Sequence, residues 1–298
     1  MINRSTIKYK LKKILPHSLF VIILTLWRRV FLHIVERVDK IRLKQFTSYR
    51  AVQLTHRDRS FSLYISPVNG FIDKHIFLYG VYEPFMLDLL FKYLHAGATF
   101  IDIGANIGQH SMYAASIVGK KGSVHSFEPI PFLCKQLQES SKYNHFESTI
   151  HAHNCALGKT ESLEKLYVSK NIGGSSLVND DETKEIITVH VKNGDRELSK
   201  LPSVTLIKID VEGYEYEVLL GIEKTLSKHK PAILIEFSGE LYATQGHGNG
   251  ANILKFLRTL RYSLYDIEDN MEPVLNDTAF DHEIASVRKQ TNLLCIFE

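Results

Sequence analysis

Three acids stand where apolar runs end. Asp210 and Glu212 close "LIKIDVEGYEYEVL", and Glu236 closes "AILIEFSGE". Charge is costly to bury without a partner, so carboxylates at the tips of buried strands are expected to face a cleft. There they can serve as a general base or hold substrate hydroxyls. Oxygen ligands also suit magnesium, and solvated strand-end acids paired with Lys208 are the plainer alternative. No resident metal is expected.

The second constellation is "TFIDIGANIGQHSMYAA", residues 99–115. An apolar strand ends at Asp102, turns through Gly104, Asn106 and Gly108, and enters a helix. A dinucleotide turn wants G-x-G-x-x-G, so that backbone can approach a pyrophosphate at a helix N-terminus. Here the pattern is D-x-G-x-N-x-G. Asn106 replaces the second glycine, and Asp102 brings a negative charge. Such a mouth suits a cationic ligand without phosphate, and S-adenosyl-L-methionine is one. Asp102 is expected to meet the ligand's amino group, directly or through water. Glu128, in "VHSFEP", closes the next strand, where an acid can accept from both ribose hydroxyls; capping the following helix is its alternative role. Asn154, in "HNCALG", either reaches an adenine edge or simply forms a turn. His110, His125 and His247 read as structural, with no nucleophile beside them.

These groups need a scaffold. The chain has 298 residues, 44% hydrophobic and 23% charged, an ordinary globular composition. Its net charge of +3 hides an asymmetry, because residues 1–60 carry 14 Lys or Arg against three acids. A basic arm on an acidic body suggests an anionic surface. Cys134, Cys155 and Cys295 lie far apart without metal spacing and read as reduced thiols in a cytoplasmic protein. The run "LFVIILTLW", residues 19–27, covers roughly 13 Å as a helix, against roughly 30 Å of bilayer. From Leu26 the pattern turns amphipathic, with Trp27, Val30, Phe31, Ile34, Val38 and Ile41 on one face. Residues 1–45 are thus expected either to lie on the inner face of a membrane or to pack on protein.

Strand-like segments at 99–103, 123–127, 149–155, 204–209, 232–237, 262–266 and 293–297 alternate with helical ones at 108–118, 131–143, 214–228 and 250–260. That order predicts an α/β fold around a mostly parallel sheet with helices on both faces. Residues 1–48 form a basic helical arm, 49–96 a β-rich lead-in plus a helix, and 97–298 the catalytic domain. The lead-in includes a strand-like "KHIFLY". Residues 160–200 read as an irregular insertion whose loop, with Ser175 and Ser176, is long enough to act as a lid.

In order and spacing, "YEPF", "FIDIGANIGQHS", "FEP", "NCALG", "GGSSL", "IKIDVEGYE" and "AILIEF" resemble FkbM-type methyltransferases over roughly residues 80–240. The resemblance implies a Rossmann-like class I methyltransferase fold, seven-stranded with the final strand antiparallel. It also implies S-adenosyl-L-methionine as cofactor and methylation of a hydroxyl on a sugar, glycan or glycolipid. Asp102, Gly104, Asn106, Gly108 and Glu128 would contact the cofactor, with Glu83, Asn154 and Ala156 completing that set. Asp210 and Glu212 would line the reacting centre, and the strand-end pattern adds Glu236 to them. "GDREL", near residue 195, departs from the family pattern of Thr-Leu-Asp. Two other readings compete, a nicotinamide-dependent oxidoreductase and a non-catalytic cofactor-fold protein docking on membranes. The missing G-x-G-x-x-G counts against the first, and the intact acidic cluster against the second. No nucleic-acid partner is expected, because the basic charge is confined to the arm and no base pocket is marked.

Overall fold

The computed structural model describes residues 35–68, 70–169, 183–238, 250–288 and 290–298. The chain divides into two compact units, residues 1–48 and 49–298. In the first, residues 35–43 are helical. Among the described residues no helix is long and apolar enough to cross a membrane. The apolar run 19–27, the start of the amphipathic face, the loop with Ser175 and Ser176, and His247 lie outside the described residues.

The second unit opens with an antiparallel hairpin of β1 (Arg50–His56) and β2 (Arg59–Ile65), whose Phe61, Leu63 and Ile65 are buried. Next come α1 (Phe71–Tyr79) and α2 (Pro84–Tyr93). The expected strand at "KHIFLY" is therefore a helix, burying Asp73 and Ile76 on its inner side. So short an apolar run carries no period that separates the two. There follow β3 (Thr99–Ile103), α3 (Gln109–Val118), β4 (Ser123–Phe127), α4 (Pro131–Tyr143) and β5 (Ile150–His153). Three strands, β6 (Ala156–Gly158), β7 (Ser162–Ser169) and β8 (Thr183–Asn193), form a separate small sheet before α5 (Gly194–Leu198). The chain continues through β9 (Leu206–Ile209), α6 (Glu215–Gly221), α7 (Glu223–His229), β10 (Ala232–Ser238) and α8 (Gly250–Thr259). It ends with β11 (Tyr262–Asp266), β12 (Glu272–Pro273), α9 (Asp277–Glu283) and β13 (Gln290–Phe297).

The main sheet runs β12-β11-β13-β10-β9-β3-β4-β5. Strands β5, β4, β3, β9 and β10 are parallel, and β13 is antiparallel to both β10 and β11. This is the expected α/β sheet with an antiparallel last strand, widened at its edge by the two-residue β12. Residues two apart share a face. Ile101, Ile103, Ile207, Ile209, Ile233 and Ile235 bury on one side with Leu219 of α6 and Leu254 of α8. On the other side Asp102 bonds Ser111 of α3. Two details depart from expectation. The helix foreseen at 214–228 is two helices, and α9 lies between the last strands where none was foreseen. "GDREL" forms α5, whose Asp195 accepts from the amides of Lys224 and Thr225 (3.0 and 2.8 Å) and from Thr225 Oγ1 (2.7 Å), capping α7.

Strand order reverses beside β3, since the chain proceeds to β4 on one side and returns as β9 on the other. Ligands in open α/β sheets bind outside the strand ends at such a point.

Candidate functional site

At that reversal the turns after β3 and β9 touch backbone to backbone. Gly104 has φ +81°, and a Cβ there would stand 1.8 Å from the Asp210 carbonyl oxygen. The Asp210 amide in turn donates to the Ile103 carbonyl at 3.0 Å. Glycine at 104 is thus what lets Asp210 come level with the first turn. Gly108, at φ +87°, fits against Leu137 of α4, whose Cγ would lie 2.6 Å from an added Cβ. Its contribution is helix packing; it does not line the cavity.

Every amide of this turn is spent inside the protein. Those of Gly104 and Ala105 donate to the Phe127 carbonyl, and that of Gly108 to the Ala105 carbonyl. The Asn106 amide donates to Glu128 Oε2 at 2.8 Å, and the Ile107 amide to Asn106 Oδ1 at 2.8 Å. No anion cradle of the dinucleotide kind is left in residues 104–108. Glu128 also accepts from the Ile130 amide through Oε1 (2.8 Å), so its carboxylate ties the first turn to the second. Burial pushes that carboxyl up to about 7.

Besides Gly108, two expected contacts are corrected. Asp102 is 0% exposed and sits beneath the turn, accepting from Ser111 Oγ at 2.6 Å, so it does not reach the cavity wall. Asn154 also stays off the wall, because its Nδ2 donates to the carbonyls of Glu128 and Pro129 at 2.9 and 3.0 Å. Period-two alternation sends Asp102 inward, and an amide beside two open carbonyls satisfies them first.

A cavity of about 280 Å³ opens here. Glu83, Gly104, Asn106, Glu128 and Ala156 line it, as do Asp210, Glu212 and Glu236. The carboxylates of Asp210, Glu212 and Glu236 each place an oxygen within 4.8 Å of the others. Lys208, 2% exposed, donates from Nζ to Asp210 Oδ2 at 2.7 Å and stands in register opposite Asp102. Both carboxylates hold its ammonium charged against the burial that works to discharge it. Burial, reinforced by Asp210, pushes Glu212 up to about 8 and Glu236 well above the usual carboxylate range. Glu212 also holds a left-handed φ of +51°, a strained conformation for a non-glycine residue. Glu215, behind this turn, accepts from the amides of Val211 and Gly213, both at 3.1 Å.

Glu83 arrives from outside the sheet. Gln109 clamps the preceding residue twice, accepting from the Tyr82 amide and donating to its carbonyl, both at 2.7 Å. Glu83, at φ +47°, is pushed up to about 7 by burial and by Asp210. Its Oε2 lies 4.0 Å from His110 Nε2. Burial and the nearby Lys208 hold His110 well below its ordinary value, so it is neutral at pH 7. His110, expected to be structural, lines the cavity, as do Gln109 and Gln290, which the sequence did not single out. Gln290 donates from Nε2 to Glu236 Oε1 across 54 residues of chain, and no local pattern signals such a pair.

Residues 102–264 match the methyltransferase FkbM domain. Methyltransferase 1 of Beauveria bassiana is 28% identical over 200 residues, covering 58% of this chain and 75% of its own. The hexuronic acid methyltransferase AglP of Haloferax volcanii is 30% identical over 149 residues, 48% of this chain and 58% of its own. A crystallised methyltransferase FkbM from Methylobacillus flagellatus is similar with a TM-score of 0.43 and 20% identity, covering 68% of this chain and 44% of that one. This chain thus spans less than half the length of that crystallised relative.

Proposed function

The chain belongs to the FkbM methyltransferase family, and on that premise we propose that it transfers the methyl group of S-adenosyl-L-methionine to a hydroxyl of a saccharide-type acceptor. One observation carries the reading. The amides of residues 104–108 are consumed internally, while Glu83, Asp210, Glu212 and Glu236 face the cavity. That carboxyl-rich wall suits a ligand's ammonium group, and residues 104–108 leave no amide for a pyrophosphate, which also counts against a dinucleotide. The residues present therefore fit the cofactor. Asn106, Glu128 and Ala156 would hold its adenosine side, and Glu83 its amino-acid side. When bound, it supplies a methyl group activated by a sulfonium.

The protein's part is alignment and proton handling. Asp210 accepts the acceptor hydroxyl's proton, while the Lys208 bond holds its carboxylate in one orientation. Glu212 and Glu236 hold neighbouring polar groups of the acceptor, their carboxyls raised by burial and by Asp210. A saccharide acceptor draws support from the relative named a hexuronic acid methyltransferase. Residues 1–45, with their basic excess, are proposed to touch an anionic membrane surface, which vesicle co-sedimentation would detect.

Transfer of labelled methyl tests the assignment. Asp210→Asn is expected to lower turnover about 100-fold or more, with cofactor affinity by calorimetry unchanged within about twofold. Unaltered turnover would dispose of the base role. Protection against thermal unfolding by NAD instead of S-adenosyl-L-methionine would overturn the cofactor.

A further inference from the structure

An aromatic row that the transfer chemistry does not use extends from the cavity mouth. Phe71, His75 and Tyr79 recur at every fourth position of α1 and so share one face. The opposite face packs inward, with Asp73 accepting from the Ser66 amide (2.6 Å) and from Gln136 Nε2 (3.1 Å). An outward helix face is ordinarily polar. Here Phe71 is 54% and Tyr79 55% exposed. The rings form one continuous contact. Phe71 and His75 centroids are 5.7 Å apart, and those of His75 and Tyr79 5.1 Å. Tyr82 stands edge-on to both Phe71 (6.0 Å, 82°) and His75 (5.3 Å, 77°). Phe71 and Tyr82 also line the cavity, so the row begins at the site and runs about 12 Å along the helix.

We propose that this row is a saccharide-binding platform, on which the sugar rings next to the methylated one stack. The assignment rests on the methyl-transfer reading of the adjoining cavity. A pyranose ring presents a face of C–H groups that suits the electron-rich face of an aromatic ring. Its hydroxyl edge meets the polar tips that tyrosine and histidine supply and phenylalanine does not. Exposed apolar surface of this kind marks a binding site. A membrane is the poorer occupant, because α1 carries one lysine, Lys74, where an anionic lipid surface asks for a basic cluster.

The test uses the full chain with methyl glycosides of glucose, galactose, mannose and N-acetylglucosamine, each as mono-, di- and trisaccharide. Binding is read by saturation-transfer NMR and calorimetry, and transfer by labelled methyl. The expected result is tighter binding with chain length for at least one series. Tyr79→Ala and His75→Ala should each remove roughly two- to tenfold of the trisaccharide affinity, and Tyr79→Phe, which keeps the ring without its hydroxyl, should lose less than Tyr79→Ala. Both positions lie away from the packed face of α1, and the melting temperature checks their folding. Affinity independent of chain length, or a Tyr79→Ala protein binding trisaccharide like the parent, overturns the platform; methylation of a monosaccharide would then leave the transfer reading intact. Length-dependent binding lost in Tyr79→Ala, with no sugar methylated, supports the platform and overturns the acceptor reading instead. If Tyr79→Ala loses only co-sedimentation with anionic vesicles, the row belongs to a membrane and the proposal falls.

Discussion

Replacing Lys208 by methionine removes a buried cation and keeps most of its volume. Two carboxylates lose it, with unequal consequences. Asp210, whose side chain is 33% exposed, remains hydrated. Asp102 is fully buried, stands opposite Lys208 in the β3–β9 register, and among the described residues has no hydrogen-bond partner on Oδ1. Its carboxyl is already raised by burial, and the Lys208 charge works against that rise. Breaking a buried pair from one side costs about 3–5 kcal/mol, because the other charge is left uncompensated. For a unit of this size each kcal/mol moves the melting temperature by about 2–4 °C, so Lys208→Met should melt about 6–20 °C lower at pH 7. The penalty lies in ionised Asp102. It should therefore shrink as pH falls and Asp102 takes up a proton. Adding Asp102→Asn should recover at least half of the loss, since an amide oxygen still accepts from Ser111. Urea denaturation followed by circular dichroism measures all three proteins. The reasoning is refuted if the single variant lies within about 0.5 kcal/mol of the parent, or if the double variant is no more stable than the single.

Three further outcomes are expected. Gly104→Ala costs about 1–3 kcal/mol for its positive φ alone, and the clash with the Asp210 carbonyl adds to that; a melting temperature equal to the parent's would contradict the close approach. Ligand-free protein should lose stability between about pH 6.5 and 8.5. Glu83, Glu128 and Glu215 at about 7 and Glu212 at about 8 release protons in that window only in the folded state, since unfolded carboxylates are already ionised. Below about pH 6.5 the buried His110 and His125, lowered by burial, pull the opposite way; differential scanning fluorimetry across the upper window should show a decline, and a rise would refute the assignment. Gln109→Ala removes two bonds to Tyr82, each worth about 0.5–1.5 kcal/mol. Amide exchange at Tyr82 should accelerate and cofactor affinity fall, and unchanged exchange would show that the clamp is idle.

Much of the scaffold could be read along the chain. Strand β3 at 99–103, strand β4 at 123–127 and helix α4 at 131–143 match their expected bounds, because each joins strong periodicity to a clear start or stop. Segments lacking such punctuation fold differently from their local pattern. "KHIFLY" is apolar without alternation and folds as α1, and α9 sits in a polar stretch with no apolar stripe to announce it. "GDREL" could not be interpreted without its partner, since Asp195 acts on amides of α7 about 30 residues later.

What the sequence determined by itself is the chemical character of the site. An acid-tipped turn lacking the second glycine, with further acids after the strands at 123–127, 204–209 and 232–237, sets the acidic composition of the mouth. The tertiary structure alone decided which acids face the cavity and which lie beneath it. Asp102 and Asp210 each stand near a strand end, yet pairing in register buries the first against α3 and leaves the second at the wall. It also brought Gln109 to Tyr82, Gln290 to Glu236 and Lys208 between two carboxylates. Such pairings depend on how separate elements pack, and local propensity carries no record of which distant segment will supply the partner.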